Sequence, residues 1–235
     1  MASDKLPEKS SRSDIDAFLE KAASLPVSKP AGQTGRLIFA MDATASREPT
    51  WDHACHVQAE MFAETAALGG LEIQLCYYRG FKEFKASGWL TETASLQSHM
   101  AAVRCLGGHT QIGRVLNHAA VMAKQQRIDA LVFVGDCVEE KIDDLCQLAG
   151  TLGIHGVPAF MFHEGGDARA EQAFRQIAKL TKGAYCPFDA GSARQLRDLL
   201  GAVAVYAAGG HLALERFGQR RGERVRRLSR QIDKG

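Results

Sequence analysis

The sequence lacks any apolar run of the roughly 18 residues that a membrane-crossing helix needs. Its first stretch, Met1 to Lys9, mixes lysines with acids and has no apolar core of the secretory kind. These two absences predict a cytoplasmic chain with no membrane span. No cysteine stands in a Cys-x-x-Cys pair, and none of His53, His56, His109, His155 and His163 falls in an HExxH arrangement. Spacing alone therefore builds neither a zinc site nor a dithiol redox site. Gly107-Gly108-His109-Thr110 lacks the Gly-Lys-Ser/Thr continuation of a phosphate-binding loop. A formal net charge of only +2 excludes a strong overall attraction to nucleic acid or membrane. No internal repeat with a period of about 20–50 residues is present, which excludes solenoids and propellers.

What is present is a chain of 235 residues, 46% of them hydrophobic, enough for one domain with a substantial core. The six cysteines, Cys55, Cys76, Cys105, Cys137, Cys146 and Cys186, are far apart and mostly sit in apolar stretches. Such residues read as reduced thiols that pack as small hydrophobes. Charge is concentrated at the end, where the stretch from Arg216 to Arg230 is dense in arginine. Three parts follow: a flexible segment over 1–34 with a short helix after Ser13, a domain over 35–206, and a basic tail or helix over 207–235.

Within the domain, apolar runs alternate with helical periodicity. Strands are predicted at Arg36–Met41, Leu71–Arg79, Asp129–Gly135, Val157–Phe162 and Ala184–Phe188, with a short edge strand near Phe81–Lys85. Helices are predicted over 50–69, Thr93–Arg104, Gln111–Gln126, Val138–Gly150, Asp167–Thr181 and Ser192–Tyr206. The continuous apolar strands are those of a sheet covered on both faces. The fold class is α/β, a doubly wound, Rossmann-like and mainly parallel sheet flanked by helices, with one short antiparallel edge strand.

Chemistry concentrates where two of these strands end. Asp42-Ala43-Thr44-Ala45-Ser46 follows the first apolar run, and Asp136 follows Leu131-Val132-Phe133-Val134-Gly135. Doubly wound sheets bind ligands at the carboxyl ends of their strands. Carboxylates with hydroxyls form a hard-oxygen set suited to Mg²⁺ or a similar cation. Residues two apart on an extended strand lie about 6.6 Å apart, so Asp42, Thr44 and Ser46 converge only if the backbone curls after Asp42. Each residue also has a plainer reading. Asp42, Thr44 and Ser46 could form a capping loop, Thr110 could cap the helix after it, and Asp136 could cap a helix starting at Val138. Glu139 and Glu140 read as a solvated first turn of that helix.

The set resembles a von Willebrand factor type A domain with a metal-ion-dependent adhesion site, bacterial cytoplasmic type. That family's pattern is Asp-x-Ser-x-Ser, a distant Thr, and an Asp after a central strand. Asp42, Thr44 and Ser46 match the first part, with Thr in place of the first Ser. Thr110 and Asp136 match the rest, with Cys137 where the family often has Gly. The resemblance implies that Thr44, Ser46 and Thr110 bind Mg²⁺ or Mn²⁺ directly, and that Asp42 and Asp136 act directly or through water. It also implies a non-catalytic module whose metal takes a carboxylate from a partner protein. Cytoplasmic members of this kind accompany AAA+ ATPases or chaperone-like assemblies. Two other functions stay open. One is an RNA-binding scaffold using the metal site and the arginine-rich tail. The other is a Mg²⁺-dependent phosphohydrolase with Asp42 as nucleophile, although Thr44 stands where such an enzyme places its second acid.

Overall fold

Strand β1 (Gly35–Asp42) is apolar along most of its length because both of its faces are covered. Leu37, Phe39 and Met41 enter the core on one side of the sheet, and Ile38 and Ala40 enter the core on the other. This description comes from a computed structural model and covers residues 34–48, 70–188, 200–209 and 213. The expected helices after Ser13 and over 50–69, with Cys55, lie outside the described residues. So do residues 1–33 and nearly all of the basic tail.

The remaining elements are β2 (Leu71–Arg79), β3 (Glu83–Leu90), α1 (Thr93–Ala101), α2 (Ile112–Gln125), β4 (Ala130–Gly135), α3 (Ile142–Ile154), β5 (Ala159–Glu164), α4 (Ala168–Leu180) and β6 (Ala184–Phe188). The chain is helical again over residues 200–209. The six strands form one sheet in the order β3-β2-β1-β4-β5-β6. All neighbours are parallel except β2 and β3. Helices α2, α3 and α4 cover one face, where Val115, Leu116, Leu145, Leu152, Phe174 and Ile177 are buried. On the other face lie Leu96 and Met100 of α1, with Val203 and Tyr206 of the last helical stretch. The Rossmann-like, doubly wound architecture is therefore present, with β3 as its antiparallel edge.

Three local expectations change. The edge strand is longer than Phe81–Lys85, running Glu83–Leu90, and Phe81 stands in the turn before it. Helix α1 stops at Ala101, short of Arg104. Helix α3 begins at Ile142, not Val138, with Asp143 and Asp144 in its first turn. Thus Asp136 caps no helix at Val138, and Glu139 and Glu140 lie in the loop that precedes α3. Cys76 and Cys186 are buried and Cys105, Cys137 and Cys146 half-buried, and none of the five is in a disulfide.

Candidate metal centre

The strand order reverses at β1, whose neighbours are β2 on one side and β4 on the other. The carboxyl ends of β1 and β4 therefore open on the crevice that doubly wound sheets use for ligands. Asp42 is the last residue of β1, and Asp136 directly follows β4. The last residue of β4 is Gly135, and the Phe133 ring of the same strand packs against it. A Cβ there would stand 2.7 Å from the Phe133 ring and 3.6 Å from the Asp42 Cβ.

Asp42 is fully buried and held at both oxygens. Its Oδ1 accepts the Thr44 backbone N–H at 2.7 Å, and its Oδ2 accepts the Tyr78 hydroxyl at 2.9 Å. The first of these bonds is the curl expected after Asp42. It turns the chain into a 3₁₀ turn (Ala45–Arg47) and brings the Thr44 and Ser46 hydroxyls to 3.1 Å from one another. Thr44 is buried and Ser46 exposed, so this set of oxygens runs from the interior to the surface. Burial pushes the Asp42 carboxyl up from its ordinary 3.8 to about 6; the Thr44 hydrogen bonds oppose the rise and Asp136 adds to it. Burial also pushes the Tyr78 hydroxyl well above its usual value, so it remains a donor to Asp42.

Thr110 does not take the capping role. The cap of α2 is Gln111, whose side chain makes no capping bond, and the Thr110 Oγ1 instead accepts the Glu139 backbone N–H at 2.9 Å. In return, the Glu139 carboxylate accepts the Thr110 backbone N–H at 2.8 Å and pairs with His109 at 3.0 Å. Glu140 accepts the Ile112 and Gly113 backbone N–H groups at 2.9 and 2.8 Å. The two glutamates thus satisfy orphan donors at the start of α2. They cap the helix across from them and not the one that follows them in sequence. The loop carrying Thr110 is further fixed at Gly108, where a Cβ would lie 2.0 Å from the Gly80 carbonyl oxygen.

The structure brings donor atoms of Asp42, Asp136 and Cys137 within 4.8 Å of one another. Donors on opposite sides of a single ion stand about 4–5 Å apart, so this grouping has the right size. Among the described residues Oδ1 of Asp136, a buried atom, has no hydrogen-bond partner, a costly state for a carboxylate oxygen unless a cation or water faces it. The donor set therefore fits a divalent cation. Thr44 and Ser46 adjoin Asp42 on its loop, and Thr110 is tied to the Asp136 loop through Glu139.

Two residues near the site escaped the sequence reading. Tyr78 is paired with Asp42 in the β1–β2 register, so aligning the ends of those strands would have found it. Arg47 is buried and paired with Glu164 at the end of β5. Burial pulls its guanidinium below the ordinary value, against the attraction of Asp136 and Asp42. Nothing in the local sequence distinguishes Arg47 from an ordinary surface arginine.

Comparison with known structures agrees with this fold. A von Willebrand factor type A protein from Catenulispora acidiphila superposes with a TM-score of 0.60 at 18% identity, over 73% of this chain and 43% of that one. The SpRpn10 VWA domain matches with a TM-score of 0.57 at 14% identity, over 75% of this chain and 97% of that domain. The pilus adhesin SpaC from Lactobacillus rhamnosus GG matches at 0.60 and 10% identity, over 82% of this chain and 31% of the adhesin. This chain thus spans less than half of the first and third of these proteins. No protein-family model matches the chain, and a search of curated proteins finds no match. The class is settled by the fold: this is a von Willebrand factor type A fold, Rossmann-like. Among the described residues no helix is long and apolar enough to cross a membrane.

Proposed function

We propose that this chain is a non-catalytic, divalent-metal-dependent protein-binding module. The observation that carries this reading is the meeting of Asp42 and Asp136 at the switch point of the sheet, with a buried Asp136 oxygen that no donor among the described residues satisfies. Asp42 and Asp136 supply the negative charge, and Thr44, Ser46 and Thr110 supply neutral oxygens. Mg²⁺ or Mn²⁺, once bound, would offer a coordination position to a partner's carboxylate. The Thr44 N–H and the Tyr78 hydroxyl hold Asp42 in one orientation, so little ordering cost falls on binding.

Arg47 is the natural rival to a metal as the counter-charge for these acids. Asp42, Asp136 and Glu164 carry three negative charges against one guanidinium when all are ionised. Two negative charges are left over, which is the charge of one divalent cation.

The surroundings suit a protein partner. Phe81 is 71% exposed and Leu106 45% exposed. Phe81 packs edge-on against His109, and Leu106 pairs with Thr44 in an isolated bridge. An acidic side chain flanked by apolar groups matches such a rim. SpaC is described as a pilus adhesin, which supports an adhesive use of this fold. An AAA+ ATPase or chaperone-like assembly in the cytoplasm is the partner class we propose.

Isothermal titration of Mg²⁺ and Mn²⁺ into wild type and Asp42→Ala tests the metal. Equal heats in the two proteins would refute it. Affinity capture from lysate in Mg²⁺ against EDTA, with Asp42→Ala as control, then tests the partner.

A further inference from the structure

We propose that Cys137 is a ligand of this metal centre, making it a mixed oxygen–sulfur site that favours a borderline cation such as Zn²⁺ or Co²⁺ over Mg²⁺. The inference rests on the metal-binding reading above and replaces its Mg²⁺ or Mn²⁺ with a borderline ion. Cys137 directly follows Asp136 at the end of β4 and is half-buried. Among the described residues, Asp42, Asp136 and Cys137 form the group of three ligand-bearing side chains whose donor atoms converge.

The chemistry of the donors then decides the ion. Mg²⁺ demands near-octahedral oxygen ligation and keeps much of its water, so a sulfur among the nearest donors works against it. Thiolate with carboxylates suits Zn²⁺ and its neighbours in the first transition row. The thiol proton leaves for solvent when the sulfur binds, because a coordinated thiol is deprotonated by the ion's own charge. Two carboxylates and one thiolate give a donor set of the size common for Zn²⁺, with a further position left for a hydroxyl, water or partner carboxylate.

Cys105 is the rival sulfur. It is half-buried, and the charges of Glu48, Arg47 and Asp42 all act on it. It does not join the converging group, which makes it the control.

Co²⁺ titration followed in the near ultraviolet reads sulfur ligation as a thiolate-to-cobalt charge-transfer band. The band is expected in wild type and in Cys105→Ser, and absent from Cys137→Ser and Cys137→Gly. Competition calorimetry should show Zn²⁺ binding wild type more tightly than Mg²⁺. In Cys137→Ser the Zn²⁺ affinity should fall by at least about tenfold, the loss that even an outer-shell change brings, while Mg²⁺ affinity holds or rises. Zn²⁺ should also slow alkylation of Cys137 in the unmutated protein, read by peptide mass spectrometry, a measurement independent of how the variants fold. Cobalt bound to wild type without the band, or a band that persists in Cys137→Ser, would overturn the role of Cys137 alone. No binding of Co²⁺, Zn²⁺, Mg²⁺ or Mn²⁺ to wild type would overturn the metal centre itself and this assignment with it.

Discussion

Replacing Asp42 by Asn should stabilise the metal-free protein at neutral pH while abolishing its response to metal. Asp42 is fully buried, and its carboxyl titrates near 6 in the fold against an ordinary 3.8. A carboxyl with a raised native value holds its proton more tightly when folded. Its contribution to stability is therefore complete below about pH 4 and is lost as pH rises through about 6. The rise corresponds to about 3 kcal/mol. The amide mimics the protonated acid in size and still offers an oxygen to the Thr44 N–H, so Asp42→Asn should escape that loss. For a chain of this length the gain amounts to roughly 6–12 °C in melting temperature. The assay is thermal unfolding of both proteins in EDTA at pH 4 and pH 7.5, repeated at pH 7.5 with cation. The two curves should nearly coincide at pH 4 and separate at pH 7.5, with Asp42→Asn the more stable. A cation at about 100 times its dissociation constant restores about 2.7 kcal/mol to wild type and nothing to the variant. An Asp42→Asn protein less stable than wild type at pH 7.5 in EDTA would refute the buried-charge argument. Equal stabilisation of both proteins by the cation would refute the site.

Further outcomes follow from the same geometry. Gly135→Ala forces a Cβ against the Phe133 ring and should cost about 1–3 kcal/mol, read by urea denaturation. Arg47→Met removes the ion-pair partner of buried Glu164 and should cost about 3–5 kcal/mol, most of it recovered in the double variant Arg47→Met/Glu164→Gln. Glu140→Gln removes a charge from the start of α2 and should cost roughly 0.3–1 kcal/mol. Its faster amide exchange should be confined to the first turn of that helix, at Ile112 and Gly113.

How far the sequence could be read depended on burial. Leu71–Arg79 and Ala184–Phe188 match their predicted bounds because apolar runs and clear breakers mark both ends. β3 was read too short since its residues are half-buried or exposed, and an edge strand has no continuous apolar signal. Glu139 and Glu140 were assigned to the wrong helix because an acidic first turn looks the same whichever helix it serves. Only tertiary folding brings them to Thr110, Ile112 and Gly113. The placement of Asp42 and Asp136 behind the two central strands was legible because strand ends are legible. The tyrosine that fixes Asp42 required the sheet register, and Arg47 required the whole fold.

The crossed bonds from Glu139 to Thr110 and from Glu140 to the first turn of α2 join the loop after β4 to the loop before α2. Gln111 reaches the Arg79 and Gly80 carbonyls, and Arg114 that of Lys82, so the β2–β3 turn is tied to the same helix start. Three connections that would ordinarily fluctuate independently are thereby latched into one bracket. They should open together or not at all in hydrogen exchange. A surface so latched recognises by shape already in place, which favours a rigid, structured epitope over a segment that must fold as it binds.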